Sequence, residues 1–393
     1  MTKKKKKKIG KPNAVVYAIA LVASKLMWLF KGVKVTYDKS GLEDLQGPAL
    51  LLCLHTCAFD PVFVGTACYP KRLTFVVSEH FLAKPLYKFL LTKIARVITK
   101  KMFCADASTI MNIIRAKNEG NIIALFAEGR LNSVPQSHTV TSGTANLAKK
   151  LGVNVYTVTA NGASLLYPKW SGVMRKGEVY VTTEKLFSAD ELKLLSVDEI
   201  SSRIDAAILH DDEKAMDGKT YKVKDTTVKL DGVLYKCPEC GKEFCLEAGN
   251  CHISCTECGF DTMLNEQYRF SDSCPYKTIN EWYNYQMDSF DLTKPLESDI
   301  TVGAVINGKM DYSAGKAHLY MDSQRFTFDG ELFGEPLKFE RKTVDIGGMP
   351  YTPKREFDIY HDGNLLYLMP ENRKEVVKWP MYLEKLVRLS NKE

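Results

Sequence analysis

The feature that most restricts the fold of this chain is a series of short apolar runs that alternate with helical patterns. The runs consist of apolar or β-branched residues and lie at 49–54, 73–77, 122–126, 153–159 and 178–182. Helical patterns lie between them at about 61–69, 81–93, 107–117 and 141–151, and further helices are predicted from Ser188 and over 198–210. Apolar runs of this length predict buried strands, and their alternation with helices predicts an α/β domain with a sheet flanked by helices.

Polar residues directly follow two of these runs. His55 and Asp60, five positions apart, follow the run 49–54. The segment Glu128-Gly129-Arg130 follows the run 122–127. Since α/β proteins keep their chemistry just beyond the ends of buried strands, these residues are predicted to form one site.

His55 and Asp60 are the residue types that general-base chemistry requires. A histidine near neutral pKa can take a proton from an attacking hydroxyl, and a carboxylate on its other nitrogen fixes the tautomer. A spacing of five places the two about 140° apart on one straight helix, so the segment is predicted to contain a turn. Asp60-Pro61 suits such a turn. The alternative is that Asp60 only caps a helix and His55 only ends a strand.

The segment Glu128-Gly129-Arg130 fits the binding of a phosphate. Gly129 allows close approach of the backbone, Arg130 offers two donors, and Glu128 orients the segment or the ligand. The alternative is a turn with a surface ion pair. The chain has no G-x-S-x-G elbow, which disfavours a serine hydrolase.

The two motifs together resemble the glycerophospholipid acyltransferase family, whose signature is H-x4-D followed by F-P-E-G-T-R-S. The resemblance covers about residues 30–210. The second motif departs from the family, because the arginine of Glu128-Gly129-Arg130-Leu131-Asn132 stands one position early. The family's G-x-x-F-I-x-R block falls on 95–101, where Lys101 replaces the arginine, and its V-P-x-x-P-V block falls on 153–158 without prolines. Lysine keeps the charge but loses the bidentate contact.

The resemblance implies an enzyme of phospholipid biosynthesis, a glycerophospholipid O-acyltransferase. It would move a fatty acyl group from an acyl thioester, either acyl-CoA or acyl carrier protein, to the hydroxyl of a lysophospholipid. The expected acceptor is 1-acylglycerol 3-phosphate, which gives phosphatidic acid. His55 would be the base and Asp60 its orienting partner, while Glu128, Gly129, Arg130 and Lys101 would hold the acceptor.

Two alternatives to this function stay open. The altered second motif is compatible with another lysophospholipid acceptor. The degraded blocks at 95–101 and 153–158 favour a non-catalytic membrane adaptor with a degenerate acyltransferase fold, whereas the intact His55 and Asp60 disfavour it.

The amino-terminal residues 1–34 are predicted to form a basic tail and a membrane-associating helix. Residues 14–30 are apolar except Ser24 and Lys25, and as a helix they would be roughly 26 Å long, short of the roughly 30 Å hydrocarbon core. This favours a helix in the membrane interface, with Trp28 at the headgroup boundary and the protein peripheral or monotopic. The lysines, chiefly Lys3 to Lys8, suit the anionic cytoplasmic face of the cell membrane. A signal peptide and an ordinary core helix are the alternatives.

The basic character of the chain is confined to this terminus. Residues 1–37 contain ten lysines and no acid. Because these ten positive charges exceed the net charge of +7 of the whole chain, the remaining residues together are slightly acidic. A folded body of this charge is not expected to bind nucleic acid.

The cysteines indicate a reduced protein with one metal site. Their number, eleven, is odd, which does not suit a disulfide framework. Cys237, Cys240, Cys255 and Cys258 form two C-x2-C pairs, each followed by glycine, and predict a structural zinc ribbon. A redox-active pair and a ligand role for His252 are the alternatives. The ribbon has two lysines against six acids, which also disfavours nucleic-acid binding.

The carboxy-terminal third changes to the alternating pattern of antiparallel strands, with turn signals at Asp329-Gly330 and Asp362-Gly363 and a final helix over 377–389. Strands closed by one helix resemble the pleckstrin-homology/GRAM-like fold in architecture. The predicted domains are the tail and helix 1–34, the acyltransferase domain with a mixed sheet 35–212, a linker 213–229, the zinc ribbon 230–265, a helical connector 266–295 and the β-rich domain 296–393.

Overall fold

The structure is a computed structural model that describes residues 8–83, 85–101, 106–137, 143–306 and 309–390. The predicted role of Lys3 to Lys7 therefore lies outside the described residues. The described residues fall into two compact units. The first lies within Met1–Asn132, Gln136–Leu166 and Lys176–Met216, and the second within Ser133–Pro135, Tyr167–Arg175 and Asp217–Glu393.

The first unit contains one seven-stranded sheet and the helices around it. The strands are β1 (Lys34–Tyr37), β2 (Ala49–Cys53), β3 (Leu73–Ser78), β4 (Ile98–Lys100), β5 (Ile122–Phe126), β6 (Asn154–Asn161) and β7 (Glu178–Phe187). The helices are α1 (Ala14–Lys31), α2 (Asp60–Cys68), α3 (Pro85–Phe89), α4 (Ala107–Asn118), α5 (Gly143–Leu151), α6 (Ala163–Leu166), α7 (Glu191–Leu194), α8 (Val197–Ile208) and α9 (Asp212–Ala215). The predicted α/β domain with a mixed sheet flanked by helices is confirmed.

The strand order is β1-β7-β6-β2-β5-β3-β4, and only the β6–β7 pair is antiparallel. Strand β2 lies at the centre, and all five of its residues are buried because helices and neighbouring strands cover them. Five adjacent strands, β6, β2, β5, β3 and β4, run in parallel, so their carboxyl ends meet at one edge. We call this edge the carboxyl edge. It is where His55 and Glu128 emerge.

The amino-terminal helix α1 packs one face on α2. Asn13 caps its start by accepting from the main-chain N–H groups of Val15 and Val16. The Trp28 ring stacks on Phe63 with centroids 5.1 Å apart and is 3% exposed. The predicted position of Trp28 at a headgroup boundary is therefore wrong, because the ring fills a protein contact instead.

The opposite face of α1 exposes apolar side chains, namely Val15, Ile19, Val22, Leu26, Leu29 and Phe30. By length and composition alone, α1 is a helix that could cross a membrane, and it is the one such helix among the described residues. Core helices of soluble proteins and signal sequences can have the same length and composition.

The helix predicted over 81–93 is a chain of shorter segments. A 3₁₀ turn over Glu79–Ala83, helix α3 and a π-helical turn over Leu90–Ile94 replace it, and Lys84 lies outside the described residues. Pro85 explains the interruption, because it has no N–H to donate and its ring opposes a preceding helical turn.

The segment predicted as a linker, 213–229, is folded. Helix α9 covers its beginning, and Glu213, Tyr221 and Thr227 are buried. A polar composition therefore does not mark an exposed connection here.

The second unit contains a small sheet, a helix and a large antiparallel sheet. The small sheet has the order β10-β9-β8, from β8 (Leu246–Gly249), β9 (His252–Cys255) and β10 (Asp261–Met263), and is followed by α10 (Ile279–Asp288). The large sheet has the order β14-β13-β12-β11-β17-β16-β15 and precedes α11 (Lys378–Ser390). Its strands are β11 (Leu296–Ile306), β12 (Lys309–Met321), β13 (Arg325–Leu332), β14 (Glu335–Lys342), β15 (Tyr351–Thr352), β16 (Glu356–His361) and β17 (Asn364–Pro370). The β-rich carboxy-terminal region is confirmed, while its pleckstrin-homology/GRAM-like assignment stays a prediction.

One of the two turn signals in this region is wrong. Asp362-Gly363 makes a turn between β16 and β17, where both residues have positive φ. Asp329-Gly330 instead lies within β13. A Cβ on Gly330 would meet the carbonyl oxygen of Lys316 at 2.2 Å, so this glycine permits close strand packing.

Candidate active site

His55 and Asp60 are brought together by a turn at the carboxyl edge. Strand β2 ends at Cys53 and helix α2 begins at Asp60 with Pro61 in its first turn. His55 Nδ1 lies 3.1 Å from Asp60 Oδ2, and the main-chain N–H of Cys57 donates to the same oxygen at 2.8 Å. The Asp60 carboxylate therefore faces back toward the strand end, rather than capping its own helix.

The surroundings of the pair favour one tautomer of His55. Asp60 is 2% exposed, and burial raises its pKa above the ordinary value, because desolvation outweighs the hydrogen bond and charge of His55. As an ionised carboxylate it only accepts, so Nδ1–H donates and Nε2 keeps its lone pair. Nε2 has no hydrogen-bond partner among the described residues. The imidazole stacks on Phe126 with centroids 4.3 Å apart.

Glu128 ties the end of β5 to the end of β2. It is 3% exposed, and its Oε2 accepts from the main-chain N–H of His55 at 3.0 Å. Its Oε1 accepts from the Asn132 side-chain amide at 2.9 Å, and the Asn132 main-chain N–H donates to the His55 carbonyl at 2.9 Å. Glu128 and Asn132 thus hold His55 from its main chain. Sequence reasoning missed Asn132, although it stands inside the second motif.

Gly129, Arg130 and Lys101 lie along the same edge. Gly129 has φ of +71° and donates its N–H to the Phe126 carbonyl at 3.1 Å, so the chain turns sharply after β5. Arg130 follows and is half-buried. Lys101 follows β4, which is two strands from β5, or about 10 Å at the usual strand spacing. The structure therefore brings His55, Asp60, Glu128 and Gly129 into one cluster and places Lys101 further along the edge.

A second histidine–carboxylate pair, His210 and Asp212, was not anticipated. His210 Nε2 lies 2.7 Å from Asp212 Oδ1, and Asp212 is fully buried. Asp212 also accepts from the main-chain N–H of Gly162 at 2.6 Å and from both the N–H and the hydroxyl of Ser164. Because Gly162 and Ser164 stand 50 and 48 positions before Asp212 in the chain, no local motif identifies the pair.

The four predicted zinc ligands lie together in the second unit. The sulfur atoms of Cys237, Cys240, Cys255 and Cys258 all lie within 4.8 Å of one another. The Cys237–Cys258 and Cys240–Cys255 sulfur separations are 3.8 and 3.9 Å. A tetrahedral site with Zn–S bonds of about 2.3 Å requires sulfurs about 3.8 Å apart, so the cluster fits the size and preference of zinc.

The two C-x2-C pairs with their following glycines, here called knuckles, have matching backbone conformations. Gly241 and Gly259 both have positive φ and donate their N–H groups to the carbonyls of Cys237 and Cys255. His252 lies outside the cluster, where its Nδ1 is 2.8 Å from Asp261 Oδ2. The arrangement offers four sulfur ligands and leaves no need for His252.

Helix α10 supports the chain that leads into the first knuckle. The Gln286 side-chain oxygen accepts from the N–H groups of Tyr235 and Lys236, and its nitrogen donates to the Val233 carbonyl. The indole of Trp282, which is fully buried, donates to the Lys236 carbonyl at 3.0 Å. Helix α10, which follows the cysteine module in the chain, therefore stabilises the segment that leads into that module.

Comparison with known proteins identifies part of the first unit. Residues 35–161, about a third of the chain, match the family model described as Acyltransferase. No curated protein sequence matches the chain. Among solved structures, the chain is similar to the 1-acyl-sn-glycerophosphate (LPA) acyltransferase PlsC from Thermotoga maritima, with 17% identity and a TM-score of 0.39 over 49% of this chain and 79% of that one. The family match assigns residues 35–161 to an acyltransferase-like α/β domain.

Proposed function

We propose that the chain is a glycerophospholipid O-acyltransferase of lipid biosynthesis. It moves a fatty acyl group from an acyl thioester to the free hydroxyl of a lysophospholipid, with 1-acylglycerol 3-phosphate as the expected acceptor. The observation that carries this proposal is the His55–Asp60 pair at 3.1 Å, which stands beside Glu128 at the carboxyl edge of a domain matching the Acyltransferase family.

The reaction follows from the tautomer of His55. The acceptor hydroxyl donates to Nε2, its oxygen attacks the thioester carbonyl, and the proton passes to His55. Asp60 stabilises the imidazolium that forms. When the tetrahedral intermediate collapses, the C–S bond breaks and Nε2–H returns the proton to the leaving thiolate. The acceptor hydroxyl has become an ester, so no serine nucleophile is needed.

The acceptor phosphate is assigned to the same edge. The turn at Gly129 brings main chain to the surface beside His55, and Arg130 follows it. Lys101 follows β4, about 10 Å from β5 along the sheet, and we assign it as a second cation for the acceptor. Arg130 stands one position earlier than the arginine of the family motif, and Lys101 replaces an arginine. Both changes fit an acceptor with a different headgroup, so lysophospholipids other than 1-acylglycerol 3-phosphate are assayed as well.

The membrane contact is assigned to α1. Its inner face is occupied by Leu21, Ser24 and Trp28, which are buried against the domain, whereas Leu29 and Phe30 are 73% and 85% exposed. A helix that keeps one face on the protein and offers the other to lipid lies along the interface and does not cross it. We assign the protein to the cytoplasmic face of the cell membrane as a peripheral or monotopic protein.

The cysteine cluster is assigned to one structural zinc ion. Four thiolates would complete its tetrahedral coordination, so it supplies folding energy to the second unit and takes no part in acyl transfer.

The proposal is tested with purified full-length protein, labelled acyl-CoA or acyl carrier protein, and lysophospholipids that differ in headgroup. We expect a labelled diacyl product from at least one acceptor, with 1-acylglycerol 3-phosphate preferred. A folded, membrane-bound protein that acylates none of them would instead support the adaptor alternative.

A further inference from the structure

The connection between β3 and β4 contains a helical stretch that buries none of its residues. Helix α3 and the π-helical turn over Leu90–Ile94 follow each other without a break and have five residues each. Apolar side chains of this stretch and of the 3₁₀ turn before it are exposed, namely Phe81, Leu86, Tyr87, Phe89 and Leu90. We call these five residues the second apolar surface. Leu86, at 67%, is the most exposed of them.

The stretch 85–94 lacks the usual source of helix stability. Isolated helices shorter than about 12 residues are marginal in water, and helices in proteins are held mainly by burying an apolar face. Residues 85–94 are fewer than that and bury no face. Contiguous exposed apolar surfaces mark contacts with membranes, ligands or other proteins. We therefore expect the second apolar surface to be covered when the protein functions.

The charges around this surface favour anionic lipid as its cover. Residues 80–97 contain four basic residues and no acid. Of these basic residues, Lys88 and Lys93 are exposed and stand among the apolar residues of the helical stretch. Helical segments that combine leucine and aromatic side chains with lysines lie in the interface of a bilayer, where the lysines contact anionic headgroups.

The helical stretch is joined to the start of α1. The main-chain N–H of Asn13, the residue that caps α1, donates to the Ile94 carbonyl at 3.2 Å. Val15 and Leu90, which lie on either side of this joint, are both exposed. The second apolar surface is therefore continuous with the helix to which we assign the first membrane contact.

The same connection begins at the carboxyl edge of the sheet. Strand β3 ends at Ser78, and the 3₁₀ turn begins at Glu79. Strand β3 pairs with β5, the strand from whose end Glu128 emerges. A bilayer in contact with this connection would lie near the edge that carries the candidate site, so an acceptor that resides in the bilayer could reach that edge.

We propose that the second apolar surface is a membrane contact in its own right. It places Leu86 and Phe89, which are three positions apart on one helical face, in the interface of an anionic bilayer. Together with α1 it turns the carboxyl edge toward the lipid. This orienting role rests on the proposed function, because it serves an acceptor that is itself a lipid. The contact alone is independent of activity and is measured by binding.

The test is flotation of the full-length protein with vesicles of phosphatidylcholine, either alone or mixed with phosphatidylglycerol. Leu86→Asp with Phe89→Asp should lower the partition onto mixed vesicles by about 100-fold or more, since each apolar side chain withdrawn from lipid costs at least about 10-fold. Leu194→Asp with Leu209→Asp is the matched control. It adds the same charge at two other exposed leucines and should change the partition little.

The lysines are tested separately. Lys88→Gln with Lys93→Gln should weaken binding to the mixed vesicles by about 25-fold, or about fivefold for each lysine. Binding to vesicles of phosphatidylcholine alone should stay as in the wild type. An equal loss on both kinds of vesicle would contradict the assignment of the lysines to anionic headgroups.

Phe89→Trp tests insertion without removing the apolar surface. On vesicles whose acyl chains are brominated, the added tryptophan should be quenched, so the quenched fraction of the fluorescence should exceed that of the wild type with its four tryptophans. All substituted positions are exposed, so the variants should melt as the wild type does. If Leu86→Asp with Phe89→Asp failed to fold, an unquenched Phe89→Trp protein would still refute the contact.

Three results would overturn the inference. They are unchanged vesicle binding by folded Leu86→Asp with Phe89→Asp, an equal loss of binding in the control, and an altered oligomeric state of the variant in sedimentation without altered vesicle binding. The last would make the surface a contact between copies of the chain. Acyl transfer is assayed alongside. An inactive wild type that binds vesicles through this surface would refute the proposed function alone, whereas an active wild type whose variant binds vesicles normally would refute this inference alone.

Discussion

Replacing Asp60 by Asn should separate catalysis from stability. The change keeps the size of the side chain and an oxygen to accept from the Cys57 N–H, but it removes the negative charge 3.1 Å from His55 Nδ1. Two unit charges at that distance interact by about 5 kcal/mol at an effective dielectric constant of about 20. That energy corresponds to about 10⁴-fold in rate, and the asparagine dipole recovers part of it. We therefore expect kcat to fall by about 10²- to 10⁴-fold.

The same substitution should not destabilise the protein. Burial raises the pKa of Asp60, so the folded state binds its proton more tightly than the unfolded chain does. The ionised carboxylate therefore costs stability as the pH rises from the unfolded pKa through the folded one, and a neutral Asn avoids that cost. The melting temperature of Asp60→Asn at neutral pH should equal or exceed that of the wild type.

The assay is acyl transfer under saturating substrates, with thermal unfolding of the same preparations. Asp261→Asn is the matched control, because it removes the carboxylate from the exposed His252 pair and should leave kcat unchanged. A near-normal kcat in Asp60→Asn, or a kcat loss that follows a lower melting temperature, would refute the reasoning.

Three further predictions concern the acceptor, the metal and the membrane. Arg130→Ala should raise KM for the lysophospholipid by about 10- to 150-fold, the equivalent of one charge-assisted contact, and Arg130→Lys should restore part of the lost affinity. A rise only in KM for the thioester would instead place Arg130 in the donor-binding site. About one zinc per chain should co-purify, and Cys240→Ser should abolish it and lower the melting temperature of the second unit, whereas iron or no metal would contradict the zinc assignment. The double substitution Leu29→Asp and Phe30→Asp should reduce co-flotation with anionic vesicles, since each apolar side chain buried in the membrane contributes roughly 1.5–3 kcal/mol. Leu194→Asp, at a site that is 87% exposed, is the control and should not reduce co-flotation. Equal effects of the two changes would place the membrane contact outside α1.

Local patterns in the sequence predicted most elements, because their causes are local. The run 49–54 became β2 within one residue, and the final helix predicted over 377–389 is Lys378–Ser390. The cysteine pairs also act locally, since each knuckle is completed by its own glycine. The turn required between His55 and Asp60 followed from helix geometry alone.

The failures involve contacts between distant parts of the chain. Trp28 is buried because α2 lies beside it, and Gly330 stays in a strand because β12 approaches it closely. The buried Asp212 is bonded to Gly162, fifty positions earlier, so no local pattern in the sequence identified it. In the candidate site, sequence pattern could identify His55 and Asp60, but not the support from Asn132.

The measurement that most directly tests the proposed mechanism is the rate of acyl transfer by His55→Ala relative to the wild type. General-base catalysis contributes about 10²- to 10⁴-fold, so the variant should be slower by at least that factor. It should remain folded, because the imidazole is partly exposed beyond the end of β2 and not part of the core. A folded His55→Ala protein that transfers the acyl group at a near-normal rate would contradict the account.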